Sequence, residues 1–260
     1  MAAGWPPYLR GVRAAVTLLT RLPVGGFPYS EADWRWSAAY LPLVGAFLGA
    51  VLGGVWLLTV RAGPAVAAVV VLAMSLLLTG AMHEDGLADT ADALGGATTR
   101  ERMFAILKDS RIGTFGSAAL AVSLLLRAAL LARLAEIAPI VLVFANAGAR
   151  LVPVWLMAAL PYVTDAAVAK SSAIAAAGRV QVAVATVIFG ALACGVCMMH
   201  ALSAVELGAA LVSVVLAGWL CAARFRARAG GITGDFLGAA EQVSECVLLL
   251  AVAVARGGAS

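Results

Sequence analysis

The chain repeats apolar runs of roughly 20 residues, the length a helix needs to cross the hydrocarbon core of a bilayer. Seven such runs stand out: Ser37–Val60, Pro64–Met82, Phe115–Ala135, Pro139–Leu160, Val180–Ala201, Val205–Ala223 and Ala239–Ala255. A soluble domain does not carry this pattern. Its residues are about 45–50% apolar and about 25% charged, whereas here the figures are 63% and 12%. The expected fold is an all-α polytopic membrane protein of about seven transmembrane helices plus an N-terminal interfacial helix. The whole of 1–260 reads as one integral-membrane catalytic domain. The last span is the least regular, because Glu241 and Glu245 interrupt its beginning.

The net charge of +4 would suggest nucleic acid in a soluble protein. Here the basic residues alternate between connections, and no nucleic-acid module is present. Arg10, Arg13, Arg21 and Arg35 precede the first run. Arg100, Arg102, Lys108 and Arg111 follow the second, Lys170 and Arg179 the fourth, and Arg224, Arg226 and Arg228 the sixth. Lysine and arginine are retained on the cytoplasmic side. The pattern therefore predicts a cytoplasmic N-terminal segment over 1–36 and an external C-terminus. It also puts the polar loops 83–114 and 224–238 together on the cytoplasmic face, where they can build one site.

The apolar stretch Ala14–Leu19 is too short for a signal peptide and is closed by Arg21. It reads as a short amphipathic helix at the interface. Cys194 and Cys197 form a C-x-x-C within an apolar run. Redox and zinc motifs need polar, accessible surroundings, so packed membrane cysteines are the better reading.

The charged residues are unevenly distributed. Ten of them fall between Glu84 and Arg111. Asp85, Asp89 and Asp92 are spaced i, i+4, i+7, which puts three carboxylates on one helix face. They repel one another unless a cation shares them. The alternative is a solvated face beside the membrane, but ionisable residues directly after a span are usually functional. Oxygen-only donors suit Mg²⁺, with Mn²⁺ as an alternative. His83 is a candidate base or phosphate contact.

In "LKDSRIGTFG", Lys108 and Arg111 can neutralise phosphate, Asp109 can add a ligand and Gly113 opens the backbone. A plain topology-setting loop would carry the same basic residues. In "RFRARAGGITGDFLGAAEQVSE", Thr233 and Gly234 stand where exposed N–H groups at a helix start could hold an anion. Asp235, Glu241 and Glu245 follow. Arg150 lies within an apolar run among small residues and is read as an inward contact. Arg127, equally deep, could instead snorkel.

"HEDGLADTADALGG", "KDSRIGTFG" and "GGITGDFLGAAEQVSE", in this order, resemble the cobalamin synthase family, as does "LLTRLPVG" near the start. The likeness runs from about Arg10 to Leu250. One departure is Ala93, where the family's pattern leads one to expect Gly. Glu84 occupies a position that the pattern leaves variable.

The resemblance implies a Mg²⁺-dependent phosphoryl transfer in the bacterial cytoplasmic (inner) membrane, with the active site on the cytoplasmic side. A hydroxyl of α-ribazole, or of its 5′-phosphate, attacks the phosphorus next to adenosylcobinamide in adenosylcobinamide-GDP, and GMP leaves. Carried over by position, His83, Asp85, Asp89 and Asp92 are catalytic. Asp85, Asp89, Asp92, Asp109, Asp235 and Glu245 hold metal, while Lys108, Arg111, Gly113, Arg150, Thr233, Gly234 and Glu241 bind substrate. Expected partners are the two substrates and membrane lipid, with no nucleic acid. A homo-oligomer, or a complex with other cobalamin-assembly enzymes, is compatible with this reading.

Two other classes are alternatives. A CDP-alcohol phosphotransferase would need Arg where Asp89 follows Asp85-Gly86-Leu87-Ala88. A metal-ion transporter would set its carboxylates near the bilayer midplane.

Overall fold

The computed structural model describes residues 5–163 and 176–258; Lys170 lies outside them. The described residues form ten α-helices, one short 3-10 helix (Val60–Ala62) and one isolated bridge between Tyr162 and Ile232. Six helices are each long and apolar enough to cross a membrane. They are α2 (Glu31–Thr59), α6 (Thr114–Arg133), α7 (Ala138–Ala159), α8 (Arg179–Met198), α9 (Ala204–Ala229) and α10 (Gly234–Gly257). The polytopic helical class is therefore as the sequence implies.

The second expected run is where the structure departs most. Helix α3 (Pro64–Thr79) stops short of Met82, and α4 (Met82–Gly96) leaves it at 91°. The bend is local. Gly80 and Ala81 both adopt the left-handed conformation, with φ of 69° and 59°. Glycine does this freely and alanine at a cost. A side chain at Gly80 would also collide with the Arg21 guanidinium, and the Arg21 N–H donates to the Leu78 carbonyl at 2.8 Å. At 15 residues α4 is roughly 22 Å long, too short to cross alone. The seventh span therefore exists only if the bent pair is counted as one.

The expected loop 83–114 is thus two helices, α4 and α5 (Arg100–Leu107). The expected loop 224–238 is also mostly helical. Helix α9 continues to Ala229, carrying Arg224, Arg226 and Arg228, and α10 starts at Gly234 instead of Ala239. Thr233 sets that start: its hydroxyl accepts the Phe236 N–H at 3.2 Å as an N-cap. Only four residues turn the chain between α9 and α10. They are pinned by Ile232 N–H to Pro161 carbonyl at 2.9 Å and Val163 N–H to Ile232 carbonyl at 2.8 Å.

The N-terminal helix α1 spans Pro7–Leu19 and packs on α2. Helix α2 begins six residues before the expected Ser37. Ser30 and Asp33 cap it reciprocally, and the fully buried Asp33 pairs with Arg10 at 3.2 Å. A buried carboxylate used as a cap looks polar in sequence, so the first turn of α2 reads as loop.

Helix α7 is the centre of the bundle. It contacts α2, α8, α9 and α10, and most of its length is buried. Helices α6 and α8 keep most of theirs outside, with Val122, Leu125 and Val187 among the exposed side chains. In water such a surface would aggregate; in a bilayer it is the lipid-facing wall.

Candidate active site

The site is organised by the crossing of α4 over the start of α10. The crossing is close because Gly86 and Gly238 meet there. A Cβ on Gly86 would stand 2.8 Å from the Asp235 carbonyl, and one on Gly238 would stand 3.3 Å from the His83 Cα. Two distant motifs are thereby fixed against each other, and the carboxylates divide into two groups.

The first group is half-exposed. Asp85 is exposed, and Asp89 and Asp235 are intermediate. Asp235 lies near enough for its charge to act on both Asp85 and Asp89. None of the three meets a basic side chain among the described residues. Asp89 is pushed up from 3.8 to about 6, first by burial and then by Asp85, Asp235 and Asp92. No three His, Cys, Asp or Glu side chains among the described residues close on a single point. The arrangement is an open row of hard oxygen donors.

Asp92 belongs to the row by spacing but not by contact. Its carboxylate accepts the Gly113 N–H at 2.6 Å and the Gly116 N–H at 2.9 Å. It holds the first turn of α6, where backbone N–H groups need acceptors. Gly113 therefore gives its N–H to Asp92 and does not offer it to a substrate anion. Nothing in the spacing of 21 and 24 residues announces this.

The second group is buried beneath the crossing. Arg127 of α6, 1% exposed, joins Glu84 of α4 at 3.0 Å to Glu245 of α10 at 3.2 Å. Arg150 of α7 lies 3.0 Å from Glu241 and donates to the Asn146 carbonyl and side-chain oxygen at 3.1 and 2.9 Å. The Arg150–Glu241 pair is within ion-pair distance but poorly aligned, since that Glu241 oxygen makes no hydrogen bond. Gln242 donates to the other at 3.0 Å. Three carboxylates share two guanidiniums here, a costly arrangement that persists only with dense pairing.

Two expectations change accordingly. Arg127 does not snorkel; it is the hub of the buried layer. Glu84, left as variable by the sequence pattern, is one of its two partners. The partner of Glu245 is Arg127, not Arg150 or the aspartate row. A mid-span arginine was the available signal for this layer, but two such arginines and three glutamates cannot be paired without the packing.

The remaining candidates lie around this centre. Asp109 and Arg111 form a bidentate pair of 2.9 and 2.6 Å on an exposed turn. The guanidinium holds the Asp109 carboxyl down at about 2. Lys108 lines a cleft with Arg100, Phe104 and Tyr162. Gly234 and Glu241 line a second cleft with His83 and Arg150. The arrangement combines half-exposed carboxylates, nearby cations and an adjacent cavity, which can together hold a polyanion through a divalent cation.

Comparison with known proteins assigns the chain. The family model described as cobalamin-5-phosphate synthase matches residues 11–253. The adenosylcobinamide-GDP ribazoletransferase of Leptothrix cholodnii is 40% identical, covering 91% of this chain and 92% of its own. That of Vibrio parahaemolyticus is 39% identical over 91% and 89%, and that of Rhizobium etli is 38% identical over 93% and 95%. No solved structure is significantly similar. The match runs through α1, both halves of the α4–α10 crossing and the buried layer, so the chain belongs to the cobalamin-5-phosphate synthase family.

Proposed function

We propose that this protein joins α-ribazole, or its 5′-phosphate, to adenosylcobinamide-GDP. A ribose hydroxyl forms a bond to the phosphorus next to adenosylcobinamide, the bond from that phosphorus to the GMP leaving group breaks, and the hydroxyl proton is released. The names of the relatives support the substrate class. They lend no support to a CDP-alcohol phosphotransferase or a metal-ion transporter.

The observation that carries the reading is the row Asp85, Asp89 and Asp235, gathered from two motifs without a basic partner. Such a row is unfavourable unless a cation joins it. The donor set fits Mg²⁺, or Mn²⁺, which takes one or two carboxylates and completes its shell with water and phosphate oxygens. When bound, the ion would neutralise charge on the pyrophosphate, the main requirement of phosphoryl transfer. Asp92 holds the α6 start in register with this row. Arg127 and Arg150 keep α4 and α10 in place. Lys108 supplies positive charge for the nucleotide from the adjoining cleft, whereas Arg111 is taken up by Asp109. The site belongs on the cytoplasmic side of the inner membrane, where nucleotide substrates are made.

The test is GMP release by purified protein from adenosylcobinamide-GDP and α-ribazole. It should require Mg²⁺ and stop with EDTA. Full turnover in EDTA removes the metal from the reading, and no GMP under any condition removes the reading itself.

A further inference from the structure

Next to the crossing lies a cavity of about 170 Å³ between α1, α2, α4, α7 and α10. Its walls are apolar: Leu18, Leu41, Met157 and Leu237. Its floor is not. His83, Arg150 and Glu241 form it, exposed by only 6%, 2% and 1%. His83 makes no hydrogen bond among the described residues, and its nearest charged partner is Glu241 at 3.9 Å. The Arg150 Nε and one Glu241 oxygen also lack hydrogen bonds.

Leaving buried polar groups unpaired carries a free-energy cost. A lipid chain would suit the walls but leave that cost in place. A pyrophosphate would find apolar walls and the Glu241 carboxylate. The cavity lies below the roughly 300–1,000 Å³ of pockets that enclose drug-sized ligands, so a corrin ring is excluded. A flat bicyclic heteroaromatic with one acceptor nitrogen satisfies both parts: the walls cover the ring, and the floor supplies the N–H.

We propose that this cavity binds the benzimidazole base of the ribazole acceptor, with the His83–Arg150–Glu241 floor meeting its free ring nitrogen. The inference rests on the ribazole reading above and adds the subsite. Gly234 and Gly238 line the cavity, and Asp235 lies between them in sequence on the same helix turn. A ribose attached to the seated base would therefore emerge beside the carboxylate row.

The test uses purified full-length protein in lipid nanodiscs. Leu237→Trp fills the cavity without touching the row. It should raise KM for α-ribazole about tenfold or more and leave KM for adenosylcobinamide-GDP within about twofold, a loss confined to binding of one substrate. In the wild type, free 5,6-dimethylbenzimidazole should compete with α-ribazole and not with adenosylcobinamide-GDP. This arm needs no variant and survives a Leu237→Trp protein that fails to fold. Calorimetric binding of α-ribazole, lost in Leu237→Trp, is read independently of turnover. Failure of the ribazole reading (no GMP) therefore remains distinct from failure of the subsite. An unchanged KM for α-ribazole, a shift in KM for adenosylcobinamide-GDP instead, or competition by phospholipid in place of the base would overturn the assignment.

Discussion

The row Asp85, Asp89, Asp235 and the layer Glu84, Arg127, Glu241, Arg150, Glu245 draw on the same two sequence motifs, to which the layer adds one arginine from each of α6 and α7. The row is half-exposed and has no basic partner. The layer is buried, and each carboxylate faces a guanidinium. Adjacent residues of α4 go to opposite duties: Glu84 points into the layer and Asp85 into the row. The difference separates carboxylates open to a cation from charges paired across helices, of which Arg150 and Glu241 also floor the cavity beside the crossing. Charge count alone does not make this distinction; the environment of each carboxylate does.

The comparison breaks most visibly at Arg127. Arg127→Met should leave Glu84 and Glu245 buried without their shared partner. Removing one side of a buried pair costs roughly 3–5 kcal/mol, so the variant should lose most folded protein in detergent by size-exclusion yield. Arg127→Met with Glu84→Gln and Glu245→Gln should recover much of that yield. A single variant as stable as the wild type would show that the layer is not structural.

The row should respond in the opposite sense. Asp85→Ala or Asp89→Ala should keep the fold and lower GMP release by about 10²–10³-fold, or roughly 3–4 kcal/mol of transition-state stabilisation. Near-normal turnover in both would detach the row from the chemistry.

Asp92 and Asp89 sharpen the contrast within one helix face. Asp92→Asn replaces an acceptor of two N–H groups with a side chain that has one acceptor oxygen. It should destabilise the protein by about 1–3 kcal/mol. Asp89→Asn should do the reverse in metal-free protein. The folded carboxyl is raised from 3.8 to about 6, so the folded state holds a proton that the unfolded chain releases, and wild-type stability falls as pH rises through that window. The melting temperature of Asp89→Asn should therefore exceed that of the wild type by a margin that opens between those two values and stays open above them. Added Mg²⁺ should close the gap. A margin that shrinks with rising pH contradicts the environment assigned to Asp89.

The smallest perturbation tests sidedness. Cysteines at the exposed positions Thr98 and Ala227, in a background without the native four, should both label with an impermeant thiol reagent only after the cytoplasmic face is opened. Labelling from opposite sides would separate the two halves of the site.

Much of this architecture is legible in sequence because it follows from short-range rules. Apolar length sets the spans, so α6, α7 and α8 start within one residue of where the runs begin. Helical periodicity places Asp85 and Asp89 on one face. The motifs carry the family, which the relatives bear out. Three features were not legible, because each depends on a partner far along the chain. The 91° turn after Thr79 reads as continuous apolar sequence, and only the Arg21 seat at Gly80 shows why the helix must break there. Asp92 looks like a third ligand until the start of α6 docks on it. Glu245 looks like a member of the acidic site until Arg127 is found beside it.

Bilayer thickness and helix geometry act on neighbours in the chain, so a helical membrane protein, its family and the residue types that gather at its polar connections can be read from residue order. Which carboxylates are paired and which are left open is set by packing. Coulombic and hydrogen-bonding partners are chosen by distance in space. The close passage of α4 over α10 at Gly86 and Gly238 brings together residues about 150 positions apart.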